Sequence, residues 1–467
     1  MPAPSADPAV AAGAGPAADP GAPAQVLLDG PILRTLLRLA APNVVAMSLS
    51  VCVGIAETFY VGLLGVTPLA AMALVFPFAM LTGMLSAGAM GGGVSSAVSR
   101  ALGAGDLARA HAVAKHALLI GVLAGLAYSA LLLALRRWLF STLGGSGAVL
   151  DEALAFSRVL FGGALSVWVF NTLASIVRGT GNMRVPSITI GLVMALQIAI
   201  GGGLGLGLGP LPRLGMPGVA SGQILAMALG TLFLLWYLRR AAARVRLVWR
   251  GIPVQRALFW EILKVGAVSC LSPLQSVLTL VLMAGFVAHA GVLPLAGYAI
   301  GQRLEFLMTT IGFGVGIASI PMVAMAIGAG QVARARRVAW TAGAVTLVVV
   351  GVIGGVVALA PDLWGRIFTP QEEVLAYTRQ FLHWTGPLYG VFGFGLTVYF
   401  SSQGAGRMAG PVAAATLRLA LVALAGSWLT ARDAPAWQLF AMAMLAMAVY
   451  GGTCALALRY GRWGRAA

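Results

Sequence analysis

From about Ile32 to about Leu458 the chain is a succession of apolar stretches long enough to cross a bilayer, separated by short polar turns. A helix crossing a hydrocarbon core of about 30 Å needs about 20 apolar residues. Every backbone group in lipid must find its partner within the protein, which leaves helices or a closed barrel. Barrel strands alternate apolar and polar residues over about 10 positions, whereas Ala117 to Leu135 is solidly apolar, so the stretches are read as helices. Composition agrees: with 60% hydrophobic and 9% charged residues and a mean hydropathy of +0.93, a water-soluble fold would lack the polar residues to cover its surface. The formal charge of +17 sits in short basic clusters between apolar stretches, which is an orientation signal at a membrane surface and not the mark of a nucleic-acid partner. Cys52, Cys270 and Cys454 lie inside apolar stretches without metal-ligand spacing and are read as small core residues.

Twelve spans are expected, at roughly 34–62, 68–99, 112–135, 151–177, 186–209, 217–238, 262–288, 294–327, 338–360, 373–401, 410–430 and 436–458. Residues 1–30, rich in Ala, Pro and Gly, read as a disordered tail. The remainder divides into an N-lobe at 31–240 (helices 1–6), an Arg-rich cytoplasmic linker at 241–261, and a C-lobe at 262–467 (helices 7–12 and a short basic tail). The halves repeat one another. Gly103-Ala-Gly-Asp106 recurs as Gly328-Ala-Gly-Gln331, and Arg178-Gly-Thr-Gly-Asn-Met183 as Gln403-Gly-Ala-Gly-Arg-Met408, both 225 residues apart (328 − 103 and 403 − 178). Pro68-Leu-Ala-Ala-Met-Ala73 and Pro294-Leu-Ala-Gly-Tyr-Ala299 stand 226 apart (294 − 68). Three echoes in register outweigh chance in a chain with 62 glycines. An even number of helices per half makes the repeats parallel, related by an axis along the membrane normal, with a cleft between two lobes. Sixteen basic loop residues on the side of Gly103-Ala-Gly-Asp106, against seven opposite, place that side and both termini in the cytoplasm of a bacterial inner membrane.

Of thirteen acidic residues, eleven lie in the tail, in loops or at helix ends, and only Glu57 and Glu305 fall inside the expected spans. An ionisable group at membrane depth costs roughly 2.5–3.5 kcal/mol on insertion scales and persists mainly where it lines a cavity or relays ions. Burial disfavours the charged carboxylate, which suits Glu57 to taking a proton from one side and releasing it as its surroundings change; a structural hydrogen bond near the interface is the other role open to it. Glu305 follows Arg303, so an internal ion pair or packing network stands beside coupling. Tyr60, Asn171, Gln197 and Gln275 complete the cleft candidates, each with packing or an interhelical hydrogen bond as its ordinary alternative. Gly201 to Gly209 superficially suits a nucleotide loop but lacks a following Lys-Ser/Thr and follows no strand. No catalytic constellation, metal site or resident cofactor is expected, and His111, His116, His289 and His383 share no spacing.

Leu39-Ala-Ala-Pro42, Glu57-Thr58 with Val61-Gly62, Gly103-Ala-Gly-Asp106, Arg178-Gly-Thr-Gly-Asn182 with Pro186, and the echoes Gly328-Ala-Gly330 and Gly404-Ala-Gly406 together resemble the multidrug and toxic compound extrusion (MATE) transporters, over about 33 to 459. The resemblance implies two six-helix lobes working by alternating access, and a chain that holds both lobes can form its cleft as a monomer. It implies export of cationic or amphipathic organic compounds, driven by a proton or sodium gradient, with a flippase for an amphipathic or lipid-linked metabolite as the alternative. Glu57 stands where many members carry a coupling Asp, and Gln197 near a polar position of the fifth helix that is often Asn or Asp. Near Gln275 and Phe392 to Gly393 this chain lacks the acids that second-lobe coupling would need, so coupling through the first lobe, by protons, is expected.

Overall fold

The computed structural model describes residues 22–240, 243–248 and 251–463, and among these all regular structure is helical. The twelve spans are α1 (Ile32–Leu64), α2 (Val66–Gly103), α3 (Leu107–Thr142), α4 (Gly147–Gly162 and Ala164–Gly179), α5 (Arg184–Leu206), α6 (Met216–Arg239), α7 (Arg256–His289), α8 (Val292–Gly328), α9 (Val332–Leu359), α10 (Glu372–Thr385, Gly386–Leu388 and Tyr389–Ala405), α11 (Ala409–Thr430) and α12 (Ala436–Tyr460). Ten are long, apolar helices, α4 is bent by 40° at Gly163, and α10 passes through a short 3-10 turn at Pro387. The chain is therefore a multi-pass, all-α membrane protein. Two boundaries need correction. Residues 1–21 of the expected tail lie outside the described residues, but Ala22–Asp29 is a helix, held by Arg334, which donates to the carbonyls of Leu27 and Gly30. The seventh helix begins at Arg256, not 262, because the charged Arg256 and Glu261, which read as the end of the Arg-rich linker, flank an apolar first turn, Ala257 to Trp260.

The repeat is visible in the turns. Gly105 and Gly330 both have φ +75°, Gly181 and Gly406 +87° and +69°, and Gly65 and Gly291 +131° and +127°, a region that disfavours any side chain. The pairs stand 225, 225 and 226 residues apart, the offsets of the sequence echoes. The same symmetry builds one closed face. A Cβ on Gly103 would lie 2.2 Å from the Met325 carbonyl oxygen, and one on Gly328 would lie 2.2 Å from that of Arg100. Since 328 − 103 and 325 − 100 are both 225, the contact between α2 and α8 is reciprocal, as an axis between the lobes requires.

Polar contacts lock this face. Glu261 of α7 meets Arg100 at 3.4 Å and Arg109 at 2.9 Å across the lobes. Gln403 of α10 donates to the Gly88 carbonyl of α2 (3.0 Å), and Asn43 of α1 to that of Gly314 in α8 (3.2 Å). Gly92 and Gly93 make the approach feasible, a Cβ on Gly93 falling 2.8 Å from the Gly266 backbone. The linker lies along α3: Lys115 donates to the Ile252 carbonyl (2.6 Å) and His116 Nε2 accepts from the Gln255 amide (2.8 Å).

Candidate functional site

Between the lobes, open at the face opposite this seal, lies a cavity of about 1380 Å³. Its N-lobe wall includes Thr58 of α1, Met80 and Gly88 of α2, Asn171 and Arg178 of α4, and Met194 of α5; its C-lobe wall includes Met283 of α7, Glu305 and Phe313 of α8, and Arg418 of α11. The wall of α2 is a stretch of wider π-helix at Met84–Met90, where Gly83, Gly88 and Gly91 interrupt the apolar side chains. Wider turns of this kind displace backbone at functional positions. Asn171 donates to Ser86 Oγ at 2.8 Å, which ties α4 to that stretch.

A second, smaller cavity of about 220 Å³ sits within the N-lobe and shares Gly54, Phe76, Met80 and Met194 with the large one as walls. Glu57 projects into it from α1, and Gln197 from α5 donates its amide to Glu57 Oε1 at 2.7 Å. The other walls are mostly apolar, Val53, Met72, Phe156 and Leu160 among them. A carboxylate here has one good donor and little else, so a proton is the cheapest way to neutralise it when the donor turns away.

Glu305 pairs with Arg418 at 3.7 Å, both side chains about 15% exposed (16% and 14%). The expectation from the adjacent Arg303 is corrected, because residues two apart point to different sides of a helix; Arg303 instead lies over the Phe368 ring, 5.0 Å from its centroid. The Arg418 guanidinium also lies 4.7 Å from the Phe392 centroid and 5.9 Å from that of Tyr450. Arg418 escaped the sequence reading, which weighed basic residues only in the loops, although it is the one charged residue between 410 and 430.

The structure thus brings Glu57 and Gln197 together and places Asn171 and Glu305 on the large cavity. Tyr60 and Gln275 line neither cavity. Tyr60 lies where Gly202 of α5 lacks a side chain, and Gln275 bonds to Thr416 of α11 at 2.7 Å. Among the described residues no cluster of His, Cys, Asp and Glu could hold a metal ion.

Comparison with known proteins matches this architecture. The family model MatE matches residues 42–201 and 269–429, one segment in each lobe. The chain is 26% identical over 320 residues to an FAD transporter of Shewanella oneidensis, covering 67% of this chain and 69% of that protein. It is 24% identical over 387 residues to a probable multidrug resistance protein NorM of Thermotoga maritima, covering 81% and 80%. Among solved structures, a MOP superfamily transporter from Pyrococcus furiosus superposes with a TM-score of 0.85 at 23% identity over 93% of this chain and 97% of that one. An outward-facing multidrug resistance MATE family transporter does so with a TM-score of 0.81 at 23% identity, over 93% and 98%. With two lobes repeated about a cleft and the family model matched in each, the chain belongs to the MatE family of multidrug and toxic compound extrusion transporters.

Proposed function

We propose that the chain is a proton-driven exporter of amphipathic organic compounds that works by alternating access, with Glu57 and Gln197 as its coupling pair. The observation that carries the reading is a large cavity between two lobes that meet at one face, flanked by a smaller pocket whose one carboxylate has one amide donor. The sealed face carries the excess of basic loop residues and is the cytoplasmic one, so the state described is outward-facing, both termini are cytoplasmic, and one chain holds the complete cleft in the inner membrane. The Shewanella relative named as an FAD transporter and the Thermotoga relative named as a probable multidrug resistance protein support the transporter reading.

Protonation of Glu57 from the external side removes its charge, which weakens the bond it accepts from Gln197 Nε2, and adds an O–H donor that must find an acceptor. Either change alters how α1 packs on α5, and α1 is also a wall of the cargo cavity and a partner of α8 through Asn43. Protons are favoured over sodium because the pocket offers few oxygen atoms besides the carboxylate (Ser50, Gln197 and Gln223), whereas a hard cation needs a fuller oxygen shell. Of the cargo types implied by the resemblance, the amphipathic one fits the cavity: the single acid on its wall, Glu305, is already paired with Arg418. The test is efflux from proteoliposomes under an imposed proton gradient and then a sodium gradient. Glu57→Gln is expected to abolish proton-driven efflux while leaving the protein folded. Unchanged efflux in that variant would remove Glu57 from the mechanism.

A further inference from the structure

We infer that the cargo is an organic anion with a planar apolar body, its acidic group seated on Arg178 at the floor of the central cavity. This deepens the exporter reading above and rests on it. Four charged side chains line the cavity, Arg178, Arg303, Arg418 and Glu305. Glu305 and Arg418 neutralise one another, which leaves two arginines and no free carboxylate on the wall. Arg303 is exposed near the mouth, beside Phe368. Arg178 is 2% exposed, and among the described residues its guanidinium has no ion pair, hydrogen bond or ring partner.

A buried guanidinium without a counter-charge is strongly unfavourable, and its planar fork of donors matches a carboxylate or phosphate two bonds at a time. The repeat supplies a second reason to assign Arg178 to cargo. Its mate is Gln403 (403 − 178 = 225), and Gln403 is engaged across the lobes with the Gly88 carbonyl in the closed face. The same position therefore seals the transporter in one lobe and ends, unpaired, at the cavity in the other. Above Arg178 the walls carry Phe76, Phe170, Phe306 and Phe313, faces suited to a flat ring system. A cationic cargo would meet net positive charge and find Glu305 already occupied.

Two xanthene dyes of opposite charge test this on the full chain in nanodiscs: fluorescein, an anion, and rhodamine 6G, a cation. By fluorescence polarisation, fluorescein is expected to bind at least about tenfold more tightly than rhodamine 6G. Arg178→Gln should weaken fluorescein about tenfold, as loss of a charge-assisted contact implies, without weakening rhodamine 6G, and Arg178→Lys should retain part of the affinity. Should Arg178→Gln fail to fold, Arg178→Lys and Arg303→Gln carry the test, each with a several-fold loss for fluorescein alone. Inorganic phosphate should compete only at far higher concentration; competition at equal concentration would mean a site for small anions and overturn the organic cargo. Equal or tighter binding of rhodamine 6G, no binding of fluorescein, or fluorescein affinity indifferent to these substitutions would each overturn the proposal. Efflux separates the two readings: rhodamine 6G moved and fluorescein not moved defeats the anion alone, whereas fluorescein bound but moved under neither gradient defeats the exporter.

Discussion

Replacing Glu261 by Gln is expected to loosen the closed face, and the structure sets how far. The contact with Arg109 is short at 2.9 Å, but Arg109 is 53% exposed, so solvent screening holds it near about 0.5 kcal/mol. The contact with Arg100 is longer at 3.4 Å, but the side chains are only 17% and 19% exposed, which places it near about 1 kcal/mol. Both exist only while the lobes meet at this face, so their loss of about 1.5 kcal/mol shifts the closed-to-open ratio by about tenfold. Spin labels on the exposed Ala108 and Ala333, at the starts of α3 and α9, report that ratio by pulsed dipolar spectroscopy once Cys52, Cys270 and Cys454 are replaced. The Glu261→Gln distance distribution should gain a longer component, and Arg109→Gln should produce a smaller gain of about twofold. An unchanged distribution in both variants would refute the assignment of this cluster as an interlobe lock.

Three further perturbations probe other levels of the structure. Gly103→Ala or Gly328→Ala places a Cβ 2.2 Å from a facing carbonyl oxygen and should cost the closed face about 1–3 kcal/mol, read as a longer component in the same spin-label distance between positions 108 and 333. Gly452→Ala, with nothing within 4 Å, should leave that distance unchanged. Glu305→Gln leaves the Arg418 charge without its partner and should lower the apparent stability by about 1 kcal/mol, the scale of the comparably exposed Glu261–Arg100 contact, while Glu305→Gln with Arg418→Met recovers most of it; additive losses would show that the pair is not coupled. Asp362, outside the spans, is held down to about 2 by hydrogen bonds from Arg379 and then Arg366. A depressed carboxylate stabilises fully above its ordinary value near about 3.9 and loses that contribution only as pH falls through about 2. The loop between α9 and α10 should therefore hold its position from pH 8 to 5, and a spin label on Thr369 that moves within that window would show a proton sensor there.

The fold was legible because its two main signals are strong and redundant. Hydropathy marks helices whatever their packing, and glycines at positive φ must recur wherever a turn is copied, which is why Gly105 with Gly330 and Gly181 with Gly406 announced the repeat. The 3-10 turn ending at Leu388 contains Pro387, a residue type that bends helices, whereas its repeat mate, the bend at Gly163 (388 − 163 = 225), is marked by nothing that distinguishes a hinge from a packing glycine. The site was legible only in part. Glu57 and Gln197 stood out singly as polar residues in apolar spans, but their contact joins positions 140 apart and depends on α1 and α5 meeting. Tyr60 and Gln275 were misplaced for a related reason: when a span is apolar on every side, periodicity does not tell which face looks inward. Arg178 was read as a loop-end charge because it lies one residue from the end of α4, and only the three-dimensional path of the cavity brings its side chain into play.

Symmetry and its breaking divide the work between the lobes. Where the protein must close, the copies are equivalent: Gly103 faces Met325 as Gly328 faces Arg100. Where it must recognise something, they differ, since the mates of Glu57 and Glu305 lie near Met283 and Ala79, and Arg178 is matched by Gln403. A cavity with identical polar groups in both lobes would offer a cargo two equivalent poses; this one offers a single cationic floor on the N-lobe side. Under the proton coupling proposed above, that placement also fixes the sign of coupling. Neutralising Glu57 makes the N-lobe more positive, so by charge alone a proton would hold an organic anion more tightly. Release on protonation must then travel through packing, by way of the walls Gly54, Phe76, Met80 and Met194 that the proton pocket shares with the cargo cavity. Enlarging that shared wall with Gly54→Leu, at a site with nothing within 4 Å of the added Cβ, should make the release of bound fluorescein independent of pH; release that keeps its pH dependence in this variant would place the coupling outside the wall.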